Sequence, residues 1–303
     1  MRAIDVTLPG HLALEPRVQP LPLRVVRAVL RFARAKPLGA VGGFIIALMV
    51  FAAVAAPWIG TQDYQRVNPR EKLQGPSARH WFGTDQFGRD LYSRIVYGAR
   101  ASLYVGFMGT LLGVGIGSLV GLVSGYVGGK LDMVLMRVVD AIQAFPGLIL
   151  ALAVVAALGP GLSKAFLAIS ITLLARPARV VRGSVLAAKE TSWVEAARTV
   201  GASDWRIMFR HILPNVFAPI IVLASLVLGI AILIEASLSF LGLGVLPPTP
   251  AWGSMLNQAS QLYFETYPHL AIFPGLAISL AVFAFNLFGD ALRDVLDPRL
   301  RGS

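Results

Sequence analysis

Long uninterrupted apolar blocks recur along this chain, and they leave it few folds to adopt. A helix needs about 20 apolar residues to cross the hydrocarbon layer of a membrane. The first block, Leu38 to Pro57, meets that length, and longer ones follow. In lipid every backbone N–H and C=O must find an internal partner, so a crossing segment is a helix or a strand of a closed barrel. The blocks lack the two-residue alternation of a barrel strand, which selects helices. Composition agrees. Of 303 residues, 56% are hydrophobic and 14% charged, against about 25% charged in an average soluble domain. That excess is too large for one buried core.

Six spans are predicted, giving an all-α, polytopic membrane protein. They run from Leu38 to Pro57, from about Ala101 to Tyr126, from about Val134 to Leu158 with Pro146 inside, from about Leu162 to Ala175, from about Val216 to Leu241, and from about Leu270 to Phe288. The organisation follows. Residues 1–37 are an N-terminal arm, 38–57 the first span and 58–100 a long loop. Residues 101–290 are the core, with a large loop at 176–213, and 291–303 are a tail. A cleaved signal peptide is the rival reading of the first block, with Ala53-Val54-Ala55 as its cleavage site. However, 37 residues precede the block, and it exceeds the roughly 7–15 residues of a signal core.

Six crossings put both termini on one side. That side carries 19 Lys and Arg and the other 8. Positive residues favour the cytoplasm, so both termini are expected inside. The same asymmetry accounts for the net charge of +11 without nucleic acid. The chain has no cysteine, which excludes disulfides, thiolate metal sites and a cysteine nucleophile. Its four histidines are scattered, and no metal site is expected. Gly128-Gly129-Lys130-Leu131 and Gly161-Leu162-Ser163-Lys164 lack the spacing of a phosphate-binding loop. No catalytic set is expected, and neither is ATP hydrolysis by this chain.

The loop between the fourth and fifth spans is the most informative. It contains Ser192-Trp193-Val194-Glu195-Ala196-Ala197-Arg198, Gly201, Asp204 and, at its end, His211-Ile212-Leu213-Pro214. Residues 191–200 suit a short amphipathic helix. Ser192 is a candidate cap with Glu195 at capping-box spacing, and Gly201 can close the helix in a left-handed conformation. Ala196 and Ala197 leave a smooth face that a partner can approach. A surface helix lying on the membrane is the plainer reading.

Glu-Ala-Ala, then Gly201, then Leu213-Pro214, resembles the "EAA" loop of ABC importer permeases, with His211 at a position where that family has Ile. The resemblance continues through Gly83-Thr84-Asp85, Gly88-Arg89-Asp90, Gly125-Tyr126-Val127-Gly128-Gly129 and Glu235-Ala236-Ser237-Leu238-Ser239. It also covers Pro247-Pro248-Thr249-Pro250-Ala251-Trp252-Gly253 and the tail from Asn286 to Arg299. These matches run in order from about residue 80 to 300 and are similar to the second of the two permease subunits of dipeptide, oligopeptide and nickel importers.

The resemblance implies a type I importer fold. It implies a homologous permease partner, two ATPase subunits that bind ATP and Mg, and an extracytoplasmic substrate-binding protein. Peptides are the expected cargo, with nickel complexes or glutathione-like solutes as alternatives. Glu195, Ala196, Ala197, Arg198, Gly201 and Asp204 become the expected docking and coupling residues.

Three other features stay open to two readings. Gly109, Gly113, Gly117, Gly121 and Gly125 recur every four residues. They form a small-residue ridge for internal packing or for a sliding or subunit-facing surface. Glu235, with Ser237 and Ser239, lines the pathway or its outer gate, or else Glu235 is a structural partner of Ser237 or of a loop amide. A carboxylate within a span usually faces an interior or a watery cavity. Asp85, Arg89 and Asp90 form a turn and a capped helix, or they contact the binding protein. A secondary transporter is the rival class; it should show inverted repeats and ion-binding carboxylates at mid-membrane, for which Glu235 is the one candidate.

Overall fold

The computed structural model describes residues 21–260 and 265–296. Residues 1–20 of the arm and Asp297, Pro298 and Arg299 of the tail lie outside them. The regular elements among the described residues are helices, with one isolated β-bridge between Thr84 and Asp90. Two units separate at Pro37. The first contains α1 (Leu21–Ala35). The second contains everything from Leu38 onward.

The helix α2 spans Pro37–Ile59, beginning on the last residue of the first unit, with proline at its first position, where the missing N–H costs nothing. After the long loop, α3 runs Leu91–Val127, ten residues earlier than the apolar block alone suggests. Asp90 caps it by accepting from the Ser93 amide at 2.9 Å, so the polar stretch before the block is already helix. Gly128 and Gly129, both at positive φ, end α3 and turn the chain into α4 (Gly129–Gln143).

The third span differs from its expectation. It is two helices, α4 and α5 (Gly147–Leu158), bent by 95°. Proline disfavours helical backbone at the residue before it, and the break falls at Ala144-Phe145-Pro146. Among the described residues four helices are long and apolar enough to cross a membrane, or five if the bent pair is one crossing.

The short fourth span is α6 (Leu162–Leu173), and α7 (Ala175–Lys189) follows it. Leu174 between them keeps helical dihedrals. The glycine ridge of α3 tracks the two together. A Cβ on Gly109 would meet Ile169, on Gly113 the Ser170 carbonyl, on Gly117 the Leu174 carbonyl, on Gly121 the Ala178 carbonyl and on Gly125 the Arg182 carbonyl. Both chains advance in the same direction along this contact, so α6 and α7 form one rod parallel to α3. From Gly109 to Gly125 the rise is about 24 Å at 1.5 Å per residue. A sixth crossing built from α6 and α7 is therefore compatible with the architecture, although neither helix suffices alone. The ridge serves internal packing.

A loop helix α8 (Ser192–Thr199) comes next. A single turn α9 (Asp204–Arg206), a π-helical turn Ile207–Ile212 and α10 (Leu213–Phe240) then make one continuous helix. Beyond it lie α11 (Trp252–Ser260) and α12 (His269–Leu296). The main core, around Val105, Ile169, Ala231 and Leu238, lies between α3, α6 and α10. A second cluster, around Ala53, Ile232, Trp252 and Phe285, ties α2 and α12 to α10.

Candidate functional site

Residues 190–206 leave the bundle and return to it, and their sequence dictates the shape of that excursion. Thr191, in extended backbone, is the cap of α8. Ser192 is not, so Glu195 stands one place too far along the helix for a capping box. At the other end Val200 is the last half-helical residue and Gly201 takes φ 77°. The Ala202 amide bonds the Ala197 carbonyl at 3.0 Å, and the Gly201 amide bonds the Arg198 carbonyl at 2.9 Å. These are the paired 6→1 and 5→2 bonds of a Schellman ending, and only a residue content with positive φ permits them. The expected role of Gly201 as helix terminator is what the structure holds.

The inner face of α8 is Val194 and Ala197, buried against Leu122 and Tyr126 of α3, Val181 and Val185 of α7, and Ile207 and Ile212. Ala197, expected beside Ala196 on the partner-facing surface, instead turns inward, and only Ala196 is exposed. This cluster seats the loop on α3, α7 and the foot of α10 at once. The outer face carries Trp193, Glu195, Ala196 and Arg198, all exposed, with Val200 82% and Trp205 67% exposed beside them. Trp205 packs against Phe209, with 4.0 Å between ring centroids and the rings tilted by 36°.

A polar clasp closes the base of the loop. The Tyr126 hydroxyl donates to Asp204 at 2.5 Å, and the Lys189 ammonium donates to the Tyr126 carbonyl at 2.7 Å. The Arg198 guanidinium lies 6.0 Å from the Tyr126 ring centroid. Asp204 also begins the long helix leading into α10, where a negative charge is favoured by the helix dipole. Tyr126 belongs to one of the motifs that carry the family resemblance, but its tie to Asp204 and the role of Lys189 are not expected from the sequence, because these partners lie 78 and 63 residues away. Tyr126→Phe removes the donor to Asp204 and should cost about 1 kcal/mol, the scale of one hydrogen bond. The expected result is faster amide exchange at residues 200–206 with unchanged exchange in α10.

Two ion pairs brace the same end of the bundle. Arg182 forks onto both oxygens of Asp132 at 2.6 Å, with the Ser124 hydroxyl also on Asp132, and Arg179 reaches Asp140 at 2.6 Å. They line an open cavity of about 550 Å³ between α4 and α7.

Glu235 is completely buried. Its Oε1 accepts from the Ser239 hydroxyl at 2.7 Å, and the Ser239 oxygen lies 3.3 Å from the Val245 amide. The partner is thus Ser239 rather than Ser237, and the loop amide is reached through it. Oε2 has no protein partner. Ser237 bonds its own helix at the Leu233 carbonyl and lines an apolar groove of about 370 Å³ between α5, α10, α11 and α12. The three residues read together from the sequence are therefore divided between an interior brace and a groove wall. Trp252 closes the nearby loop: its indole donates to the Ile95 carbonyl at 3.0 Å, and Gly98 leaves room for its ring.

In the long loop Asp85 accepts from the amides of Phe87 and Arg89 and from the Arg89 guanidinium at 2.7 Å. Asp90 is enclosed by Ser93, Thr61 at 2.9 Å and His80 at 2.9 Å. Burial pushes its carboxyl up, and the Ser93 amide, His80, the Ser93 hydroxyl and Thr61 together draw it below the ordinary aspartate range. The turn and capped helix are both present. Asp85 and Asp90 are buried, while the rings of Trp81 and Phe87 are exposed.

Residues 115–302 match the family described as the binding-protein-dependent transport system inner membrane component. Residues 26–76 match the N-terminal TM domain of oligopeptide transport permease C. The chain is 47% identical over 264 residues to a dipeptide transport system permease protein of Alkalihalophilus pseudofirmus, covering 87% of this chain and 86% of the other. It is 46% identical over 277 residues to a glutathione transport system permease protein of Pectobacterium atrosepticum, covering 89% and 90%. A putative peptide transport system permease protein of Brucella suis is 45% identical over 261 residues, covering 86% and 88%.

Proposed function

Since the chain belongs to the family of binding-protein-dependent transport system inner membrane components, we propose that it forms half of a peptide passage driven by separate ATPase subunits. The observation that carries this reading is the α8 excursion. It is an outward-facing short helix, rigidly ended at Gly201 and seated on α3, α7 and the foot of α10. A helix anchored so widely transmits displacement to the crossing helices, which is what coupling requires. Its outer residues Trp193, Ala196, Val200 and Trp205 supply apolar contact to an ATPase groove, and Glu195 and Arg198 supply charge at its rim. Asp204 acts from inside by holding the loop to Tyr126.

In this assembly the partners are a homologous permease, two ATPase subunits that bind ATP and Mg, and an external binding protein. The long loop between α2 and α3 faces that binding protein. Asp85 and Asp90 shape the loop, Arg89 holds Asp85, and Trp81 and Phe87 offer exposed surface. Ser237 faces the substrate side through its groove, with Glu235 and Ser239 bracing the helix behind it. Both termini are cytoplasmic, as the distribution of basic residues favours. Small peptides are the substrate class. Two relatives, named for dipeptide and for glutathione transport, differ by one percentage point in identity, and glutathione is itself a tripeptide.

Three measurements test this. The chain purified without ATPase subunits should neither bind nor turn over ATP; turnover would refute the division of labour. A reporter fused to the C-terminus should be active only in the cytoplasm; an external reporter would refute six crossings. Mass spectrometry of solute carried by the partner binding protein should return short peptides, and a metal chelate there would overturn the peptide assignment.

A further inference from the structure

The first described helix has a pattern that the transport reading leaves unused. In α1, arginines stand at positions 24, 27, 31 and 34. At ~100° per residue these spacings put all four within an arc of about 80°. The rest of the helix is almost wholly aliphatic or aromatic. Val29 is 60% and Leu30 51% exposed, and Arg27, Arg31 and Arg34 are exposed as well. A narrow basic face opposite a broad apolar one is the composition of a helix that lies in a membrane interface.

Chain continuity fixes where such a helix must be. Only Lys36 separates α1 from α2, whose first residue, Pro37, begins an apolar crossing candidate of 23 residues. Lys36 is non-helical, as crowding by the following proline ring favours. The end of α1 is therefore tethered within a residue or two of the bilayer surface. Charge selects the occupant of its basic face, because the inner leaflet is anionic and attracts juxtamembrane Lys and Arg.

We propose that α1 lies in the headgroup layer of the cytoplasmic leaflet, its arginines on the phosphates of anionic phospholipids and its apolar face toward the acyl chains. This rests on the cytoplasmic N-terminus proposed above. Docking would hold the start of the first crossing at a fixed depth. Each arginine should contribute roughly fivefold to the docked population.

The chain contains no cysteine, so a spin label can be placed singly. V29C and R31C variants of the full complex would be reconstituted in nanodiscs of phosphatidylcholine, with or without phosphatidylglycerol. Collisions with oxygen report lipid, and collisions with a water-soluble nickel chelate report solvent. With phosphatidylglycerol present, V29C should favour oxygen and R31C nickel. The R24Q/R27Q/R34Q triple variant in the V29C background should lose the dependence on anionic lipid while keeping normal abundance. A V29C label shielded from both reagents would mean that protein covers α1 and would overturn the proposal. So would equal nickel access at both positions. Leaflet placement is tested separately in sealed vesicles of known orientation. If externally added chelate reaches R31C in right-side-out vesicles, the cytoplasmic N-terminus is wrong, even where the lipid contrast persists.

Discussion

Replacing Gly117 or Gly121 with valine should leave little folded permease in the membrane. A Cβ on either would run into a backbone carbonyl oxygen, that of Leu174 or of Ala178. Overpacking a core costs typically 1–3 kcal/mol, and more when neighbours cannot yield. Here the obstacle is main chain in another helix, so no rotamer change relieves it. The close approach of α3 to the α6–α7 rod would be lost at the level where the rod has its least regular point, Leu174. Without that contact α6 is an apolar helix of 12 residues, too short to cross by itself. The expected result is loss of the chain from purified complexes, read by immunoblot and by protease sensitivity of α7. Gly115→Val is the control. It lies on the same helix with nothing within 4 Å of a built Cβ and should express normally. Equal abundance of G117V, G121V and G115V would refute the packing role of the ridge.

Gly201→Val should do something different: preserve abundance and abolish coupling. No atom lies within 4 Å of a Cβ built there, so crowding plays no part. The cost is conformational, because φ is 77° and a β-branched residue there is an outlier. Strain of about 1–3 kcal/mol lowers the population of the correctly ended helix roughly 5- to 150-fold. Insertion rests on long apolar helices elsewhere and should be unaffected. The measurement is peptide-stimulated ATPase activity of the reconstituted complex at matched permease abundance. Gly201→Asn separates this cause from mere surface change, because asparagine tolerates the left-handed region and should retain most coupling. Glu195→Lys should act in the same direction but less strongly, since it reverses an exposed charge without straining the backbone. If G201V couples as well as wild type, α8 is not the coupling element.

How legible these features were depended on how local their causes are. Gly201 could be read because a helix terminator needs only its own backbone and the few residues before it. Asp90 could be read as a cap for the same reason. Ser192 misled because serine followed by glutamate at the right spacing is equally compatible with a cap one residue earlier, and only backbone dihedrals choose. Glu235 was visible as a carboxylate in an apolar run, but whether it faced Ser237 or Ser239 depended on the loop returning through Val245. Tyr126 stood in a family motif, but nothing local tied it to the α8 loop. Its importance comes from Asp204, 78 residues away in sequence.

The sequence by itself determined the membrane setting and where the apolar segments fall. It also determined the family, since hydrophobic length, breakers and ordered motifs are properties of consecutive residues. The tertiary structure alone decided how those segments are used. It breaks the third span at Pro146, joins α6 and α7 into one rod, and assigns the glycine ridge to that rod. It also separates Glu235 from Ser237 and ties the α8 loop to α3. Each of these turns on which surface meets which across the bundle. Helices of similar hydropathy are equally at home in lipid, so their packing is settled by close fit and by paired polar groups between distant residues, and a linear pattern does not contain that pairing.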